Sequence, residues 1–135
     1  MVAEFSIIFG FSRGVKGLHV GQDQRIHGRN TAFLVLQAQN DTTYWFLWNK
    51  LDKKYISPNI PRFTQDEGTA EAEKHLNHYI NESVKFRDLW DKRITFSMHP
   101  VEEYLAKRWT WNRFVAIGDA VHKVYNYQRV SNYVC

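Results

Sequence analysis

The 135-residue chain has one cysteine, Cys135, so no disulfide can form within it and a reducing, intracellular setting is expected. Long hydrophobic runs are missing too. The most apolar stretch, Phe5 to Phe11, is short and interrupted by Ser6 and Gly10, too little for a signal sequence or a membrane span. These absences lead us to expect a soluble, cytoplasmic protein. Charge of one sign is nowhere concentrated: the formal net charge is +4, but 18 Lys and Arg are scattered among 14 Asp and Glu and form no run or stripe that could track phosphates. A nucleic-acid partner is therefore not expected. There is no internal repeat, no low-complexity segment and no linker. The glycines after the first apolar stretch (Gly14, Gly17, Gly21) lack the G-x-G-x-x-G spacing that lets a backbone approach a pyrophosphate, and they read as a loop.

Aromatic residues are what the chain does have. They make up 16% of it, with five Trp, seven Tyr and nine Phe, enough to fill a core and also to line a pocket for a bulky, unsaturated ligand. A charged share of 24% against a hydrophobic share of 44% is that of a folded globular domain. The length suits one domain with a real core. It is too short for a dinucleotide-binding domain plus a substrate domain.

Phe5, Ile7, Phe9 and Phe11 recur at every second position, the period of a strand with one apolar face. Two more runs, Thr31 to Gln37 and Thr43 to Lys50, are rich in β-branched and aromatic residues and flank Asn40-Asp41, which predicts a β-hairpin. Pro58 and Pro61 break regular structure. Thr64 with Glu67 then forms a capping box for a helix of about four turns, with Ala72, Leu76, Tyr79 and Ile80 on its apolar face and Glu71, Lys74, His75 and His78 toward water. Ser83 can cap a second, short helix that buries Phe86, Leu89 and Trp90. Strands are expected from Ile94 to His99 and from Arg113 to Asp119, with Glu102 to Arg108 between them either strand or loop. The fold class is α+β: a mainly antiparallel β-sheet with two or three helices packed on one side.

The run Arg113-Phe-Val-Ala-Ile-Gly-Asp-Ala-Val-His122-Lys123 resembles the second flavin motif of the class A, aromatic-hydroxylase type of FAD-dependent monooxygenases. Upstream, Phe9-Gly-Phe-Ser-Arg-Gly14, Tyr44-Trp-Phe-Leu47, Lys54-Tyr55, Ile60-Pro-Arg-Phe63 and Leu89-Trp90 follow in the order of the fungal members that oxidise meroterpenoid-type secondary metabolites. The resemblance covers about residues 3 to 123. It implies a substrate-binding domain over 1–123, a divergent tail over 124–135, and contact of Gly118 and Asp119 with FAD if FAD is bound. The strand, G-x-G-x-x-G and helix that hold the ADP half of FAD in that family have no counterpart before Phe5, and the Pro and Gly-rich turn expected after Lys123 is replaced by other residues. The chain is thus expected to be a truncated form that binds no cofactor tightly.

Two enzyme classes follow from that expectation. The first is a flavin-independent cyclase or isomerase working in the inherited hydrophobic cavity, with an acid and a base drawn from Asp119, His122, Glu102 and His99. A carboxyl buried among Trp109 and Trp111 would have a raised pKa and serve as an acid near neutrality. The second is a fragment or split form of an FAD-dependent epoxidase or hydroxylase; a ligand-binding accessory protein stands as a third, non-catalytic reading. In all three the ligand is a hydrophobic small molecule. Tyr44, Trp45, Phe46 and Trp48 put rings on both faces of one strand, so one face packs on helices and the other lines the cavity, while Arg13 orients a carboxylate or carbonyl. His75, His78 and Glu71 have metal-like spacing on a solvated face with no further ligand, so no metal is expected. Exposed apolar surface, with Tyr125, Tyr127, Val130 and Val134 alternating with polar residues in the tail, predicts a homodimer with residues 124–135 at its interface.

Overall fold

The computed structural model describes residues 1–123. The tail, the dimer contact expected there and Cys135 lie outside the described residues. Six strands form one sheet in the order β2-β3-β4-β1-β5-β8, antiparallel at every pairing. They are β1 (Val2–Arg13), β2 (Asp23–His27), β3 (Thr31–Gln37), β4 (Thr42–Ile56), β5 (Arg93–Leu105) and β8 (His122–Lys123). Helices α1 (Gln65–Glu73) and α2 (Phe86–Asp91) pack on one face of it. The α+β class with helices on one side is what the alternating pattern predicts.

The hairpin of β3 and β4 turns at Asn40 and Asp41, whose φ angles of 55° and 59° are those of the primed turn that matches strand twist. The pairing Gln37↔Thr43 and Leu36↔Tyr44 follows from it. In β1 and β4, Ser6, Ile8, Gly10, Ser12, Thr43, Trp45, Leu47 and Asn49 all point to the helix side and are buried. Trp45 is fully buried between the rings of Phe86 and Trp90, at 5.3 and 5.9 Å. Gly10 makes room for it: a Cβ there would stand 2.6 Å from the Trp45 ring and 2.5 Å from the Thr95 carbonyl. The buried indole N–H donates to Ser12 Oγ at 2.8 Å, and Ser12 Oγ–H donates to the Leu89 carbonyl at 2.6 Å. One chain of two hydrogen bonds thereby joins β4, β1 and α2.

Several elements differ from expectation. The Thr64 capping box is present, with Thr64 N–H donating to Glu67 at 2.7 Å, but α1 ends at Glu73 instead of running for four turns. The carbonyls beyond its end are taken by the next element: Arg87 N–H donates to Leu76 O at 3.0 Å and Phe86 N–H to His78 O at 2.9 Å. Asn81 Oδ1 accepts from Ser83 N and Val84 N at 2.9 and 2.8 Å, closing a side-chain-made turn that competes with helix. Ser83 is spent in that turn, so Lys85, not Ser83, occupies the cap of α2, and Asp88 accepts its N–H at 2.8 Å. Phe86, Leu89 and Trp90 are buried as their spacing predicts. His75 turns inward, not to water, and its ring meets the edge of Phe33 at 6.3 Å.

The glycine stretch from Gly14 to Gly21 is a loop, as read, but β2 (Asp23–His27) follows it unannounced, its polar residues around Ile26 being too short a pattern to signal a strand. Strand β5 extends through Glu102 and Glu103 to Leu105. Arg113 to Asp119 is not a strand of the sheet. It contributes only β7 (Phe114–Val115), paired with β6 (Thr110–Trp111), and a single 3-10 turn at Gly118–Ala120. Its apolar residues Phe114, Val115 and Ile117 are exposed, so among the described residues no burial drives it into the sheet.

The two faces give opposite stability expectations for neighbouring rings. Trp45→Ala should cost about 3–5 kcal/mol by leaving a cavity, whereas Trp48→Ala, on the other face, should cost only about 1 kcal/mol. Denaturant melts of the two variants check this. A second expectation concerns Glu71, whose carboxyl is held down to about 2 by the His75 imidazole and by the Lys74 ammonium at 2.6 Å. Its contribution is fully present above the ordinary carboxylate pKa and is lost as pH falls through about 2. Glu71→Gln should therefore destabilise by about 1 kcal/mol near neutrality, after solvent screening, with the gap to wild type closing between about pH 4 and 2.

Candidate functional site

On the sheet face opposite the helices, the alternate residues of the same strands lie side by side. Cross-strand pairing sets Phe46 beside Phe9 and Leu34, Trp48 beside Ile7 and Ala32, and Tyr44 beside Phe11 and Leu36. Phe9 is also paired with Ser97, and Ile7 with His99, of β5. The outcome is a continuous row of rings across three strands. Trp48 and Phe46 stack at 5.8 Å, Phe46 and Phe9 at 6.3 Å, and Phe9 and His99 at 5.7 Å, with interplanar angles of 18°, 28° and 21°. Phe11 and Tyr44 form a second pair beside it at 6.0 Å. Phe9 in the row is 40% exposed and Tyr44 in the neighbouring pair 45%, so these rings are open to solvent instead of buried in the core.

At the His99 end the row meets an open groove of about 770 Å³ between β5 and the 57–65 segment. Its lining includes Ser97, His99, Glu102, Arg62, Phe63, Gln65 and Lys123. Ser97 Oγ and His99 Nε2 are hydrogen-bonded at 2.6 Å. The volume lies within the range of small-molecule sites. A wall of rings for an unsaturated body and a groove with hydrogen-bonding and charged groups for its polar part can together orient an amphipathic ligand.

Of the residues expected at the site, Tyr44, Phe46 and Trp48 line the ring face, and His99 and Glu102 line the groove. Trp45, expected beside the ligand, is a core residue. Arg13 is exposed at the far end of β1, opposite Thr42. Trp109 and Trp111 border a separate shallow hollow of about 260 Å³ with Arg108 and Phe114, so Glu102 is not enclosed by them. Trp109 donates its N–H to Ala106 O at 3.1 Å and stacks on His122 at 6.3 Å; Arg108 lies 5.1 Å from the centre of the Trp111 ring. Asp119 and His122 are exposed, in the 3-10 turn and β8, and neither lines the groove. Sequence reasoning missed Phe9, Ser97 and Arg62. The first two were legible as same-face positions of strands, and Arg62 as the polar residue of the Ile60-Pro-Arg-Phe63 segment.

Gly118 has a left-handed φ of 63°, with nothing within 4 Å of where a Cβ would stand. Together with the exposed Asp119 carboxylate this fits the approach of a polyhydroxyl chain such as the ribityl arm of FAD, with Asp119 accepting its hydroxyls. No cluster of three or more metal-ligating side chains occurs among the described residues, and no described helix is long and apolar enough to cross a membrane.

No family model matches the chain. It is 40% identical over 124 residues to an FAD-dependent monooxygenase of Penicillium janthinellum (janM), and 38% identical over 124 residues to one of Aspergillus fumigatus (spyC). Each alignment covers 92% of this chain and 26% of the relative. An FAD-dependent monooxygenase of Metarhizium robertsii (subE) is 38% identical over 125 residues, covering 92% of this chain and 38% of the relative. The chain thus spans about a quarter to two fifths of the length of these three curated relatives. Among solved structures, the tetracycline destructase Tet(51) superposes with a TM-score of 0.56 at 13% identity, over 91% of this chain and 32% of that one, which shows a shared fold.

If the ring row is a ligand surface, Phe46→Ala and Trp48→Ala should each weaken binding of a flat hydrophobic ligand about 3–10-fold, the effect of one lost ring contact, while the fold is kept. Titration calorimetry alongside thermal melts reads both quantities. Unchanged affinity in both variants would remove this face from the site.

Proposed function

Because the chain is homologous to a segment of fungal FAD-dependent monooxygenases, we propose that it supplies the substrate wall of an oxygenase of that kind. The observation that carries this reading is the ring row Trp48–Phe46–Phe9–His99, an aromatic surface kept on the sheet face that the helices leave open. Aromatic residues at half-exposed strand positions cost solubility unless something lies on them. A hydrophobic, unsaturated substrate of secondary metabolism is the occupant whose chemistry suits both the rings and the polar groove.

In this reading the chain's own work is to bind and orient. Phe46, Trp48 and Phe9 hold the apolar body and exclude water from it. His99 and Glu102 lie where a proton can be given to or taken from a polar end, and Asp119 with Gly118 meets the cofactor. FAD, when bound, supplies the electrons that allow one oxygen atom of O2 to enter the substrate while the other leaves as water. Positioning of the reacting carbon is the part contributed by this sheet.

A second reading, a non-redox cyclase or isomerase, is favoured by one observation: Glu102 and His99 line the same groove, as an acid and a base for a folded substrate would. One experiment separates the two. Residues 2–123 are substituted for the matching segment of the Penicillium janthinellum relative, and the chimera is supplied with FAD, a nicotinamide reductant, 18O2 and a prenylated aromatic substrate. Oxygenation predicts a product heavier by one 18O atom, lost or cut at least tenfold in the Phe46→Ala, Trp48→Ala double variant. A product isomeric with the substrate and free of 18O, formed equally without FAD, would replace the oxygenase reading with the cyclase.

A further inference from the structure

The row of rings ends in the one ring of the four that can both donate and accept hydrogen bonds. Trp48, Phe46 and Phe9 follow one another at 5.8 and 6.3 Å, and the next ring, 5.7 Å on, is His99. Its Nε2 is already engaged by Ser97 Oγ at 2.6 Å. When the Ser97 hydroxyl donates there, the proton of a neutral imidazole resides on Nδ1, which is then a donor. A strand places residues 97 and 99 on one face with no freedom to drift apart, so the pair is preorganised.

Charge in the adjoining groove has a sign. Arg62 and Lys123 line it against Glu102. The four ion pairs among the described residues, Arg25–Asp23, Lys54–Glu4, Lys74–Glu71 and His75–Glu71, use neither cation. A guanidinium and a serine-held imidazole lining one open groove suit an oxygen that carries negative charge or hydrogen-bonds as if it did.

We propose that His99, held by Ser97, together with Arg62 forms a head-group site for an anionic or acidic oxygen of the ligand, a carboxylate or the hydroxyl of a phenol or enol. Its apolar body then extends along Phe9, Phe46 and Trp48. This rests on the reading of the ring row as a ligand wall and adds what fixes the ligand's direction along it. Without a polar anchor a flat body could lie on the row in either sense, and the carbon presented for reaction would not be unique. His99 and Arg62 are positioning residues in this account, setting which end of the substrate is held.

Calorimetric titration of the full chain with three probes of one shape tests it: 2-naphthoate, 2-naphthol and 2-methoxynaphthalene. The site predicts that naphthoate or naphthol binds about tenfold or more tightly than the ether. Preference for naphthoate assigns a carboxylate head and preference for naphthol a hydroxyl head; either supports the proposal. His99→Phe keeps a ring against Phe9 and should bring the favoured probe to the level of the ether. Arg62→Gln, on a segment outside the sheet, should selectively weaken naphthoate. Equal affinity for the three probes in the unaltered chain, or a preference that survives His99→Phe, overturns the head-group site but leaves the ring wall standing if ether binding still falls in Phe46→Ala. Ether binding indifferent to Phe46→Ala, or no binding of any probe, removes the ring wall and the head-group site with it.

Discussion

The Trp45 indole N–H is the constraint on which the rest of the structure depends. A ring of that size buried completely must find an acceptor for its one donor, and at this depth the only economical acceptor is a side chain on the neighbouring strand. Ser12 Oγ accepts that bond and donates its own O–H to the Leu89 carbonyl, so β4, β1 and α2 are locked together through two side chains. Once Trp45 is committed to the helix side, strand geometry commits Tyr44, Phe46 and Trp48 to the other. The same bond that completes the core therefore sets the orientation of the ring face.

That coupling has a consequence for change. A one-residue slip of β4 against β1 would exchange the two sets of rings, placing Phe46 and Trp48 against α2 and exposing Trp45. The primed turn at Asn40-Asp41 and the close fit of Gly10 under the Trp45 ring oppose such a slip from two directions. Core and ring face are thus two readings of a single register. Substitutions on the ring face can vary with little cost to the fold, and those on the helix side cannot.

How much of this was legible in the sequence depends on the range of the forces involved. The hairpin, the Thr64 capping box and the buried side of α2 are local: turn chemistry, side-chain caps and periodicity announce them. The early end of α1 was not legible, since it results from α2 amides reaching back to Leu76 and His78, a contact between segments. Nor was the fate of Arg113 to Asp119, whose β-branched and aromatic residues have the composition of a strand but, among the described residues, no neighbour to bury them. The four rings of the run Tyr44 to Trp48 had to divide between two faces, and the pattern alone gives alternation without saying which parity faces the helices. Gly10 and Ser12, small and at matching parity across the sheet, hold that answer, and they become informative only once β1 is known to lie beside β4. Glu102 and His99 were expected at the site and do share a groove, whereas Asp119 and His122 do not line it.

The central claim is that the sheet face opposite the helices is the ligand wall. Aromatic and methyl carbon resonances assigned in the chain, followed during titration with a prenylated aromatic ligand, test it most directly. The account predicts shifts at Phe9, Phe46, Trp48 and His99 that saturate together, with Trp45, Phe86 and Leu89 undisturbed. Shifts confined to the hollow around Trp109 and Trp111, with the ring row silent, would contradict it.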